Sequence, residues 1–171
     1  MESKVKIVSI LLVDIVNYTS ITSGLNKDSF DKFHDVFDKL IKKTCRAYKG
    51  KIIKKIGDAF LIIFDSVTAS IKCGIKLQKT FSKYRKKKEV QPIHIRVCIN
   101  VGEVLIRKND IYGSAVNIVA KMGKFVKSDE VVFSGVAYLA MDKSEIPFTH
   151  IGTKFIKGLK MPPVRLFRVK L

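Results

Sequence analysis

The sequence predicts an α+β fold in which helices cover a mostly antiparallel sheet. Three observations carry this. Apolar runs of strand length, rich in Ile, Val and Phe, recur along the whole chain. Two long segments place their apolar residues at helical spacing. The order reads strand, helix, hairpin, helix, strand pair, helix and strands, with no repeat, linker or low-complexity block between them. At 171 residues and 47% apolar content, the chain suits one domain spanning 1–171, with core enough to need no staple.

The first strand runs from Lys4 to Asp14 and is almost continuously apolar from Ile7, as a central strand is. Val16 to Asn26 reads as a turn or short helix. From Lys27 to Tyr48, Phe30, Phe33, Val36, Phe37, Leu40, Ile41 and Cys45 share one helical face; Asp28 and Ser29 serve the first turn and Gly50 stops the helix. Lys51 to Phe64 reads as a β-hairpin with Asp58 at its tip, where Gly57 lets the backbone turn tightly and leaves open space beside the carboxylate.

A second helix spans about Val67 to Lys87, with Ile71, Ile75, Phe81 and Tyr84 turned inward, and Glu89-Val-Gln-Pro92 breaks the chain after it. Ile93 to Asn100 alternates in part, and Gly102 to Arg107 reads as its hairpin return. Gly113 to Lys124 is a short helix whose N-terminus can face an anion. A strand at Glu130 to Phe133, a helical piece at Val136 to Met141, and strands at Phe148 to Ile156 and Val164 to Val169 complete the chain.

The formal charge of +18, from 33 Lys+Arg against 15 Asp+Glu, favours an anionic partner. Nucleic acid, an acidic membrane surface and a nucleoside triphosphate all fit. Much of the lysine is dispersed over helix faces, and the densest run, Lys83-Tyr-Arg-Lys-Lys-Lys88, closes a helix, where positive charge also favours the C-terminal dipole. Nucleic-acid recognition calls for exposed aromatic residues on the sheet, whereas the candidate strands are buried Ile, Val and Phe, so no nucleic-acid partner is expected. No apolar run approaches the roughly 18 to 20 residues of an integral membrane segment, and the start shows no signal-peptide pattern, so a cytoplasmic location is expected. Cys45, Cys73 and Cys98 form no C-x-x-C pair and read as buried reduced thiols; His34, His94 and His150 are scattered, and no zinc site is expected.

Asp14 ends one apolar strand and Asp58 sits on the tip between two others. Taken singly, each is explained as a cap or a turn residue. Together they form a pair of hard oxygen ligands suited to two divalent cations, Mg²⁺ or Mn²⁺, which bind few carboxylates and complete their shells with water and substrate phosphates.

Four motifs in order resemble those of the catalytic domain of class III adenylyl cyclases, and the resemblance runs from about Ile7 to Val169. Val13-Asp-Ile-Val-Asn-Tyr-Thr19 is similar to the first metal-binding segment, and Ile53-Lys-Lys-Ile-Gly-Asp-Ala-Phe60 to the hairpin bearing the second metal aspartate. Asp110-Ile-Tyr-Gly-Ser-Ala-Val-Asn-Ile-Val-Ala-Lys121 is similar to the base-binding and transition-state segment, and Gly158-Leu-Lys-Met-Pro-Pro-Val resembles the closing segment near the phosphates. The family carries a small residue, usually Gly, where Asn17 stands, and Arg where Lys121 stands. Lysine keeps the charge without the planar fork.

The resemblance implies a ferredoxin-like palm core that dimerises head to tail, with active sites shared between the subunits of a homodimer. One subunit would supply Asp14, Asp58 and the backbone carbonyl of Ile15 to two metals. The other would supply Lys54 and Asp110 to adenine, and Asn117 and Lys121 to the ribose and phosphates, with Lys157 and Lys160 both placed for the terminal phosphates. The implied activity is conversion of ATP to 3′,5′-cyclic AMP and pyrophosphate; the alternative is a catalytically weak or inactive cyclase-like module for nucleotide binding and dimerisation. The residue chemistry agrees with ATP: adenine offers an acceptor at N1, which Lys54 can serve, and an exocyclic amine, from which Asp110 can accept, a pattern that guanine reverses.

Overall fold

A computed structural model describes residues 4–88 and 90–171. Its middle is a pair of long antiparallel strands, β1 (Lys4–Ile15) and β4 (Ile95–Arg107), in register from Lys4↔Ile106 to Ile15↔Ile95. Across the sheet the order is β2 (Lys51–Ile56), β3 (Ala59–Phe64), β1, β4, β6 (Val131–Ser134), β8 (Val164–Val169) and β7 (Phe148–Lys154), while β5 (Asp110–Tyr112) folds back onto the end of β4. Among the described residues only β4 and β6 pair in parallel; the other neighbours are antiparallel, as the sequence predicts.

Strand alternation sorts the core into two layers. Leu11, Val13 and Ile15 of β1 face α2 (Lys27–Ala47), α3 (Val67–Arg85) and α5 (Gly135–Ala140), with the short α1 (Tyr18–Thr22) at the rim. Val8 and Ile10 face the opposite way, toward α4 (Ser114–Met122), the β4–β5 ribbon and the β7–β8 loop. In the first layer the rings of Phe37 on α2, Phe60 on β3 and Phe81 on α3 meet at centroid distances of 5.6 and 5.8 Å, which seats both long helices on the sheet. Cys45, Cys73 and Cys98 are buried free thiols, and burial pushes Cys98 up to about 12. Among the described residues no helix is long and apolar enough to cross a membrane.

The expected helix at Lys27 starts one residue after its true cap: the Asn26 side chain accepts from the Ser29 amide at 2.9 Å. At its other end Lys49, not Gly50, takes the left-handed conformation (φ 59°). Gly50 is needed for another reason, because the Phe64 ring lies 2.6 Å from where a Cβ would stand. The second long helix ends at Arg85, two residues before the expected Lys87. Of the expected break at 89–92, Glu89 lies outside the described residues.

One reading of the strands is corrected. The expected hairpin of Ile93–Asn100 with Gly102–Arg107 is instead one continuous strand, β4, which starts at Ile95, and its return is β5. The turn falls at Lys108-Asn109, both left-handed (φ 50° and 61°), the arrangement of a two-residue hairpin turn. Gly102 is a site of close packing: a Cβ there would stand 2.6 Å from the Cβ of Ala115, so its absence lets α4 lie against the strand. Asn100 fastens the same helix by donating from Nδ2 to the Ala115 carbonyl at 3.0 Å. Gly102→Ala is expected to lower stability by about 1–3 kcal/mol, as overpacking does. A urea unfolding midpoint equal to that of the parent would show that α4 yields without cost.

Candidate active site

The two aspartates approach each other on the α4 side of the sheet. Asp14 pairs in register with Ala59 of β3, so Asp58, on the two-residue turn just before Ala59, lies beside the end of β1. Gly57 holds that turn at φ 60°, and nothing lies within 4 Å of where its Cβ would be, which leaves the expected open approach to Asp58. After Asp14 and the buried Ile15 the chain reverses through Asn17 in the left-handed conformation (φ 57°). That backbone explains why a glycine suits this position and why asparagine, which tolerates it, can stand there.

Burial raises the Asp14 carboxyl above its ordinary value; the Arg96 guanidinium pulls it back down, and the charge of Asp58 pushes it up. Arg96 stands directly across the ladder from Asp14, donating from Nε to Oδ1 at 2.7 Å and from a terminal nitrogen to the Gly123 carbonyl at 3.3 Å. It thus joins the aspartate pair to the end of α4. A half-buried carboxylate that needs a cation beside it, a second carboxylate close by and backbone oxygens form a hard donor set. Among the described residues no group of three or more His, Cys, Asp or Glu is placed to hold a metal alone. Two carboxylates match Mg²⁺ or Mn²⁺, which share their shells with phosphates and water, and do not match a closed zinc site.

Lys54 and Asp110, the residues expected at the base, are also brought together. Lys54 Nζ donates to Asp110 Oδ2 at 2.6 Å, and the other Asp110 oxygen accepts from the Ile111 amide at 2.8 Å. Lys54 lies on β2 at the sheet edge and Asp110 on β5, so the β4–β5 ribbon curls across the sheet to join them. Lys55, the next residue, points the other way and donates to Asp38 of α2 at 2.6 Å, which ties the hairpin to the helix layer. On α4, Ala115, Val119 and Met122 face the core, while Asn117 is exposed and Lys121, one turn further, is half-buried. Lys121 Nζ donates to the Lys157 carbonyl at 2.9 Å and lies against Gly158 (φ 81°), where a Cβ would come within 2.9 Å of it. Lys157 and Lys160, both on the loop between β7 and β8, are exposed.

The adenylate and guanylate cyclase catalytic domain model matches residues 1–167. The chain belongs to this cyclase family. A putative adenylate cyclase 3 of Rhizobium meliloti is 23% identical over 159 residues, 92% of this chain and 27% of that protein. The serine/threonine-protein kinase pkn2 of Myxococcus xanthus is 27% identical over 151 residues, 88% of this chain and 18% of the kinase. The chain therefore spans less than a third of either relative. Among solved structures, the adenylyl cyclase CyaB from P. aeruginosa superposes with a TM-score of 0.88 at 21% identity, covering 99% of this chain and 96% of that one. The guanylyl cyclase Cya2 superposes equally well, with a TM-score of 0.88 at 21% identity over 99% and 94% of the two chains. The cyclase fold is common to both.

Sequence reasoning missed Arg96 and Asn100. The available signal was two polar residues on one face of an apolar strand, two positions either side of the buried Cys98, but their partners depend on strand register. The Asp110 carboxyl is held below its ordinary value chiefly by the Lys54 hydrogen bond. The stabilisation from this pair is therefore present above the ordinary carboxylate pKa and lost as pH falls through the lowered one. In Lys54→Ala the Asp110 carboxyl is expected to titrate at higher pH than in the parent, read by side-chain carboxyl NMR. Identical titration curves would show that the pair does not form in solution.

Proposed function

We propose that this protein is an adenylyl cyclase that converts ATP to 3′,5′-cyclic AMP and pyrophosphate at sites shared between two copies of the chain. The observation that carries the reading is the Lys54–Asp110 pair at 2.6 Å, a donor and an acceptor set side by side in the order that adenine requires. Guanine would meet donor with donor and acceptor with acceptor, at a cost of roughly 1–3 kcal/mol for each buried group left unpaired.

A second copy is supported by the apolar surface around the site residues. Ile56, Tyr112 and Phe155 are 52%, 51% and 79% exposed, and each stands two residues from a site residue: Asp58, Asp110 and Lys157. Large apolar side chains left open beside charged site groups mark a surface that another protein covers. In a symmetric pair the aspartates of one copy face the base pocket and α4 of the other, which gives two equivalent sites.

In the reaction the ribose 3′-hydroxyl loses its proton, its oxygen attacks the α-phosphorus in line, and the bond from that phosphorus to the bridging oxygen of pyrophosphate breaks. Divalent cations held by Asp14, Asp58 and the Ile15 carbonyl would supply the charge that acidifies the hydroxyl and neutralises the triphosphate. The chain's own groups do the rest. Lys54 and Asp110 exchange their mutual bond for the adenine edge and fix the nucleotide. Asn117 orients the ribose, and Lys121 exchanges the Lys157 carbonyl for an α-phosphoryl oxygen as charge grows there. Lys157 or Lys160 takes the terminal phosphates, and Arg96, next to Asp14, adds a further cation for the triphosphate.

The alternative of a weak or inactive nucleotide-binding module draws on one observation, the engagement of Lys121 by a backbone carbonyl in place of a free fork-shaped guanidinium. A product assay with ATP, GTP, CTP or UTP and Mg²⁺ or Mn²⁺ separates the two readings. Cyclic AMP with pyrophosphate is expected from ATP, with turnover reduced by on the order of a hundredfold or more in Asp14→Asn or Asp58→Asn while the fold is kept. Turnover retained in both variants removes the two-metal assignment, and no cyclic product from a folded, dimeric protein selects the binding module. Replacing Lys54 by Glu together with Asp110 by Cys is expected to lower the ATP to GTP preference; an unchanged ratio removes their role in reading the base.

A further inference from the structure

The densest charge in the chain takes no part in this chemistry. From Ser66 to Lys88 the sequence holds eight cations and no carboxylate. Lys72, Lys76, Lys79 and Lys83 recur at spacings of four, three and four, so they form one stripe along α3 with a cation every turn, about 5–6 Å apart. Glu145 takes up Lys72, but Lys76, Lys79 and Lys83 are exposed and enter no ion pair among the described residues. α2 runs alongside and adds Lys43 across a groove of about 610 Å³, with Tyr48 and Tyr84 half-buried in its walls. A second hollow of about 550 Å³ on the far side of α3 shares Lys79 and Lys83. Both lie on the helix layer, the face of the sheet opposite the candidate active site.

Like charges one turn apart repel and weaken a helix. The stripe is thus a cost that an anionic partner would relieve. We propose that the α2–α3 face docks on an anionic phospholipid bilayer, with lipid phosphates entering the groove between the lysines of the two helices. Lysines are point charges on long stems that adapt to a fluid array of headgroups, and polybasic helix faces of this size bind acidic lipid. Tyrosines at the rim suit the boundary between water and lipid. No α2 or α3 side chain is among the large apolar residues exposed on the described surface, so the attachment is adsorption without insertion, and salt reverses it. Single-stranded nucleic acid would need open ring faces for stacking, and both tyrosines are half-buried against the helices. Docking through this face would leave the candidate active site directed away from the bilayer.

Flotation with phosphatidylcholine vesicles, with and without phosphatidylserine, tests the proposal. The protein is expected to float with the phosphatidylserine vesicles alone and to be released by raised salt. The triple variant Lys76→Glu, Lys79→Glu, Lys83→Glu is expected to lower partitioning by on the order of a hundredfold. The charge-matched control Lys4→Glu, Lys108→Glu, Lys124→Glu, placed elsewhere on the surface, is expected to lose only about threefold through net charge. Thermal melts establish that both variants fold, and the corresponding glutamine triple replaces the first if it does not. Equal losses in the two variants, equal binding to neutral vesicles, or displacement from the vesicles by a single-stranded oligonucleotide at matched phosphate concentration would each overturn it.

Discussion

The β1–β4 ladder sets the position of everything the site uses. Its register runs unbroken from Lys4↔Ile106 to Ile15↔Ile95, and Val13 and Ile15, on either side of Asp14, are buried under the helix layer. A strand has a period of two, so a slip of one residue would carry Asp14 into that apolar layer and expose its neighbours. The apolar alternation that builds the core therefore also fixes the carboxylate on the α4 side. The same register sets Arg96 across from Asp14, and the matching ladder to β3 brings the hairpin tip with Asp58 alongside.

Three charged groups around the site have partners within the chain. Arg96 holds Asp14, Lys54 holds Asp110, and Lys121 holds the Lys157 carbonyl. Each of these bonds also joins two elements that are distant in sequence: β4 to β1, β2 to β5, and α4 to the β7–β8 loop. Internal pairing lowers the cost of keeping charges half-buried, yet partly exposed pairs are individually weak. Under the proposed function, a nucleotide that offers a better partner to each group would replace them at modest cost.

The two faces of the sheet differ in the charges they carry. The α4 face gathers carboxylates, the Lys54–Asp110 pair and the exposed apolar residues beside them, whereas the α2–α3 face gathers lysines that enter no ion pair among the described residues. Total charge does not reveal this division, because +18 is a sum over the chain. The helical spacing of the lysines and the pairing of α2 with α3 convert composition into a directed surface.

Local pattern was enough for the long helices, the Gly57-Asp58 hairpin and the pair of strand-end aspartates, because periodicity and turn chemistry act over a few residues. It failed at Gly102, where a glycine within an apolar run looks like a turn and is in fact the place where Ala115 packs against the strand. It also failed at Gly50, whose conformation is ordinary and whose small size is what Phe64 requires. The sequence by itself determined which segments become helix or strand, which of their faces are apolar, and that two carboxylates stand at strand ends. Only the tertiary structure decided that Arg96 meets Asp14 from 82 residues away and Lys54 meets Asp110 from 56, because those meetings follow from strand order and register, which the spacing of residues along the chain does not encode.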